Sequence, residues 1–125
     1  MLRARVTEIL ELNLTNHFVA LILESDRVQA YPVYFAQIVG ESTIRIPVTD
    51  ATGIADALKS PVPASTIVAD PAGGFEAYEL RGVARHISEE EDYEAVAAAR
   101  SLTPGFPVHG AVIFEIDSVH PVPPP

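Results

Sequence analysis

The chain has 125 residues, 48% hydrophobic and 20% charged, and 8 Lys+Arg against 17 Asp+Glu leave a net charge of −9. This is one domain with enough apolar material for a core, and its acidity argues against nucleic acid or an anionic membrane surface as a partner. The absence of cysteine excludes disulfides, thiolate metal sites and thiol catalysis, and no apolar run approaches the ~18 residues of a membrane-spanning helix.

Met1–Arg5 lacks the apolar core of a signal peptide, so the expected compartment is the cytoplasm. Leu2, Val6, Ile9 and Leu10 fall near helical spacing and predict an amphipathic helix from Leu2 to Leu12. His17 to Glu24 is a nearly continuous apolar run of strand length. Val28 to Asp50 reads as two long strands joined by Gly40-Glu-Ser42. In the second of these, Thr43, Arg45 and Pro47 alternate with Ile44, Ile46 and Val48, the pattern of a strand with one buried face. Pro32 and Pro47 cannot donate to a ladder, so each marks an edge, a bulge or a strand end.

Asp50 or Thr52 could cap a short helix carrying Ile54 and Leu58 and ending before Pro61. Residues 64–69 form a fourth strand, and Phe75 to Ile87 a long fifth one with a kink or bulge at Gly82. Ser88 and Glu91 have the spacing of a capping box, predicting a helix from Ser88 to about Leu102. Gly110 to Val119 is a sixth strand, alternating at Val112, Phe114 and Ile116. Pro121 to Pro125 reads as a proline-rich tail beyond a single domain of residues 1–120. Six strands with so few helices between them predict a mainly β fold, an antiparallel barrel with a terminal helix and two connecting helices.

No strong catalytic or metal motif stands out. His17, His86, His109 and His120 are scattered and lack metal-site spacing, and no nucleophile elbow occurs. His86 and His109 read as strand-end or loop residues. Gly73-Gly74 reads as a turn, and Glu89 to Asp92 as a solvated helix start. Tyr31, Tyr34 and Phe35 are first of all core or interface aromatics. Alternation puts Tyr31 and Phe35 on one face, where stacking on a planar ligand is the sharper reading. Arg81 and Arg85 share a strand face, with surface salt bridges as the plain reading and phosphate contact as the sharper one.

The order of Pro32-Val-Tyr-Phe35, Ile44-Arg-Ile-Pro-Val48, a short helix ending at Leu58 before Pro61, Leu80-Arg-Gly-Val-Ala84 and Val112-Ile-Phe-Glu-Ile116 resembles the FMN-binding split barrel of the pyridoxamine 5′-phosphate oxidase-like superfamily, in its small single-domain form. The resemblance covers residues 2–119. It implies a six-stranded split barrel, a homodimer and two FMN molecules at the subunit interface. It places the flavin ring against Ala30, Tyr31, Pro32 and Val33 and against Ile46, Pro47, Val48 and Thr49, with Thr52 and Gly53 near the phosphate. A redox or flavin-reductase-like role follows, with no protein acid or base identifiable.

The chain departs from the family where a Lys and a Thr usually grip the phosphate. Those positions fall on Gly53 and Ile54, and no Lys or Arg occurs between Arg45 and Lys59. Arg45, Arg81 or Arg85 would have to supply the cation. The alternative is a dimeric split barrel that has lost flavin and binds another small ligand in its cleft.

Overall fold

The computed structural model describes the chain apart from residues 1–3, 17–18, 25–27, 34, 50–52, 71, 73–75, 104, 106 and 124–125, and apart from the side chains of residues 15, 16, 19 and 33. The elements are α1 (Ala4–Asn16), β1 (Val19–Glu24), β2 (Val28–Val33), β3 (Gln37–Val39), β4 (Thr43–Val48), α2 (Ile54–Ala57), β5 (Val62–Asp70), β6 (Glu76–Ser88), α3 (Tyr93–Ser101) and β7 (Gly110–Pro121). The strands form one antiparallel sheet in the order β2-β1-β5-β6-β7-β4-β3. The fold is mainly β, as expected, but with seven strands among the described residues rather than six, and the sheet is not closed.

Residues paired across adjacent strands share a face. Leu21, Leu23, Ile44, Ile46, Val48, Val68, Leu80, Val112 and Phe114 point inward and are buried in one core. Helix α1 adds Val6, Ile9 and Leu10 to that core. On the outer face, α3 lays Val96 and Ala99 against Ile87, Ala111 and Ile113, a second and smaller cluster.

The extra strand comes from a break in the expected Val28–Val39 strand. Phe35 takes a left-handed φ of 57°, a conformation costly for an aromatic residue. Before the break the chain pairs with β1, and after it β3 pairs with β4 at the opposite edge of the sheet. The expected long hairpin therefore shrinks to Gln37–Val39 against Thr43–Arg45, around a turn in which Gly40 has φ 68°.

Helix α3 begins four residues later than the capping-box reading placed it. Glu91 does reach back, its Oε1 accepting from Ser88 N–H at 3.3 Å and from Ser88 Oγ at 3.2 Å. Those contacts close a turn, however, and Asp92 is the N-cap, accepting from Ala95 N–H at 3.1 Å. Ser88 and Asp92 could each satisfy a free first-turn amide, and the turn leaving β6 settled which one does.

The bulge expected at Gly82 is present, as a register shift between Arg81 and Gly82 on β6 against β7. A Cβ there would meet the Glu115 carbonyl oxygen at 1.8 Å. Pro121 ends β7 rather than starting a free tail: it pairs with Tyr78, and Val122 N–H donates to Ala77 C=O at 2.9 Å.

Asn13 joins α1 to the sheet where β5 outruns its neighbour. Strand β1 pairs with β5 only at Ser65 and Ala64. Further along, the Asn13 carboxamide donates to Ala69 C=O at 2.9 Å and accepts from Ala69 N–H at 3.1 Å. It thereby stands in for a missing strand. Nearby, Arg5 meets Asp70, Glu76 and Glu8 at 2.9, 3.0 and 3.1 Å. These carboxylates, Asp70 first, raise the Arg5 pKa above its ordinary value. The Asp70 carboxyl is held below the usual range by the Ala72 amide and then by Arg5.

Candidate functional site

The expected flavin-contacting residues divide into two groups. Ile46, Pro47 and Val48 end β4, Thr49 comes next, and Gly53 is the N-cap of α2. Ala30, Tyr31, Pro32 and Val33 lie on β2, at the other end of the sheet order. No hydrogen-bonded ladder joins the groups. Within one chain they share the core, to which Ile46 and Val48 belong and against which Tyr31 packs.

Orientation decides what each residue can offer. Ile46 and Val48 face inward, so only their backbone can meet a ligand outside the barrel. Pro47 takes the other face, and both it and Thr49 are half-buried. On β2, Ala30 and Pro32 are exposed. Tyr31 fits the core reading: its hydroxyl donates to Gln29 Oε1 at 2.6 Å and its ring packs on the core. Phe35 does not share its setting, because the left-handed break intervenes and leaves Phe35 50% exposed. Tyr34, Asp50, Thr52, Gly73 and Gly74 lie outside the described residues.

The expected phosphate end is exposed but weakly equipped. Gly53 has φ 73°, and a Cβ placed there would meet nothing within 4 Å. Its carbonyl accepts from Asp56 and Ala57 N–H at 3.2 and 3.3 Å. Helix α2 has four residues, too few for a useful dipole, and its first turn carries Asp56. Arg45 points away, on the outer face of β4, donating from Nη2 to Gln37 Oε1 at 2.6 Å. Arg81 fits the plain reading, paired with Glu79 at 2.7 Å.

Two features escaped the sequence reading. The first is the placement of two histidines near the end of β4. His109 N–H donates to Val48 C=O at 3.0 Å, and the His86 ring lies so close to Gly110 that a Cβ there would meet its Nε2 at 2.5 Å. The scattered spacing of His86 and His109 hid this, although Gly110 opening a strand was a clue to a close approach. The second is a pocket of about 240 Å³ between α1 and β3, lined by Glu11, Leu14, Ala36, Gln37 and Ile38. Its β3 wall depends on the break at Phe35. Among the described residues no group of three or more His, Asp or Glu could hold a metal ion, and no helix is long and apolar enough to cross a membrane.

No protein-family model matches the chain, and no curated protein matches it. Solved structures do. HupZ of Group A Streptococcus, as an H111A variant, is 12% identical, with a TM-score of 0.74 over 98% of this chain and 100% of that one. A candidate pyridoxamine 5′-phosphate oxidase from Lactobacillus delbrueckii is 18% identical, with a TM-score of 0.69 over 94% and 92%. An FMN-binding protein from Syntrophomonas wolfei is 16% identical, with a TM-score of 0.65 over 95% and 92%. At these identities the likeness is one of fold: the chain folds as these solved structures do.

Proposed function

We propose that the protein binds FMN noncovalently as a homodimer and takes part in electron or hydride transfer. The observation behind this reading is the separation of the two ring-contacting groups. Ala30 and Pro32 are exposed on one sheet edge, and Pro47 and Thr49 are half-exposed near the other. One ligand can touch both groups if they come from two copies of the chain. The outer face nearby favours such pairing: Val28, Ile67 and Val83 are 70, 51 and 39% exposed on β2, β5 and β6, and apolar strand faces of this kind are commonly covered by a partner. FMN would supply the redox chemistry. Backbone groups of β2 and β4 would hold the ring edge, and the barrel wall would keep water from one ring face.

A second reading has its own support. The pocket beside α1 contains none of the expected flavin residues, and no basic residue lies between Arg45 and Lys59. On this reading the barrel is a cofactor-free module that takes a different small ligand.

Calorimetric titration of ligand-stripped protein with FMN at low salt separates the two. Micromolar or tighter binding is expected, with a yellow complex that sediments as a dimer. No heat and no colour at millimolar FMN would end the flavoprotein reading and leave the module.

A further inference from the structure

The pocket of about 240 Å³ is walled by Glu11 and Leu14 on the α1 side and by Ala36, Gln37 and Ile38 on the β3 side. Leu14, Ala36 and Ile38 are half-buried and pack against the main core, so its floor is apolar. A dry cavity of about 150 Å³ takes a benzene ring. This one therefore has room for a single ring, or a short alkyl chain, carrying a polar arm.

Glu11 is the charged residue of that lining, and it is exposed. Among the described residues no ion pair includes it. Arg5 holds Glu8, one turn earlier, together with Asp70 and Glu76, while Arg81 holds Glu79 and Arg100 holds Glu89. The carboxamide oxygen of Gln37 is already committed, accepting from Arg45 Nη2 at 2.6 Å. Arg45 itself leaves the face of β4 opposite to the buried Ile44 and Ile46. The Glu11 carboxylate is thus the side-chain acceptor open to a ligand.

The backbone points to the same place. Phe35, immediately before Ala36, is left-handed and half exposed. Strain of this kind persists only where the surrounding structure over-determines it, and it gathers at ligand sites. Here the break carries the chain from pairing with β1 to pairing with β4, and so brings Ala36, Gln37 and Ile38 opposite α1.

We propose that this pocket binds a small organic ammonium ion, with its apolar body against Leu14, Ala36 and Ile38 and its nitrogen at the Glu11 carboxylate. A carboxylate beside an apolar floor selects a ligand with a cationic donor at one end and a greasy body at the other. The net charge of −9 draws cations to the surface as a whole. The inference deepens the second reading, on whose pocket it rests, and does not require that FMN be absent.

Three probes share one body and differ in charge: phenethylamine, 2-phenylethanol and phenylacetate. Each is titrated at low salt into wild type, E11Q and E11K and followed by methyl NMR, with FMN titrated in parallel. Wild type is expected to bind phenethylamine with a Kd of about 0.1–1 mM, shifting the methyls of Leu14, Ala36 and Ile38. It should hold 2-phenylethanol about 3- to 10-fold more weakly. E11Q should remove that preference, E11K should transfer it to phenylacetate, and neither should change FMN binding. Both variants alter an exposed helix position outside the core, and thermal melting checks their folding. Equal binding of amine and alcohol by wild type, amine binding indifferent to E11Q, shifts confined to other methyls, or no shift at about 10 mM amine would each overturn the ammonium site. In those cases the parallel FMN titration still decides the flavin reading. Glu11-dependent amine binding beside a failed FMN titration sinks the flavin reading and keeps the site.

Discussion

Strands β5, β6 and β7 run nine, thirteen and twelve residues, whereas the edge strands β2 and β3 run six and three. The long strands pair along most of their length and supply Val68, Leu80, Ala84, Val112 and Phe114 to the core with almost no exposure. The edges show the opposite: an exposed Val28, exposed Ala30 and Pro32, and the left-handed Phe35 between them. Stability concentrates where non-local pairing is continuous. The edge strands pair on one side only and carry backbone strain and exposed apolar surface.

The sharpest test of that contrast is Gly82→Ala. A Cβ 1.8 Å from the Glu115 carbonyl cannot be absorbed by a rotamer change, so β6 and β7 must separate at the bulge. We expect a loss of more than about 4 kcal/mol, or no folded protein, measured by urea denaturation. A loss under 1 kcal/mol would mean that the central pairing is far more compliant than its continuity suggests.

Asn13→Ala tests the boundary between the regions, where β5 has run past β1. It leaves the Ala69 N–H and C=O without the side-chain partner that replaces a strand. The expected loss is about 2 kcal/mol by the same measurement. Asn13→Asp is informative beside it, since a carboxylate accepts from Ala69 N–H but cannot donate to Ala69 C=O.

The smallest effect lies at the adjoining corner. Because the folded pKa of Asp70 is lowered, its contribution is present above the ordinary unfolded value of about 3.9 and is lost as pH falls through the folded value. Asp70→Asn should therefore flatten the acid limb of the stability curve below about pH 4 and slightly lower stability at neutral pH. Thermal melts from pH 2 to pH 7 would read both, and an unchanged acid limb would remove Asp70 from the corner's energetics.

What was legible in the sequence was local. Alternation at Val112, Phe114 and Ile116 and at Ile44, Ile46 and Val48 reports which face each strand buries, because side-chain direction in a strand has period two. Gly82 between Leu80 and Ala84 marked a bulge, because a missing side chain there lets two backbones meet. The start of α3 was misplaced because Ser88 and Asp92 are both good caps. The strand after Pro32 was read as continuous because an aromatic residue in left-handed conformation has no local signature.

By itself the sequence determined which face each strand buries, a net acidic charge, and the absence of any thiol chemistry, since composition and period-two patterning depend on nothing beyond neighbouring residues. Tertiary structure alone decided that β2 and β3 end up on opposite edges of an open sheet, that Asn13 caps Ala69, and that Arg45, Ile113 and Arg85 fall in one row. Those are matters of register between distant strands. Register is set by summed packing over the whole sheet, which no single segment encodes.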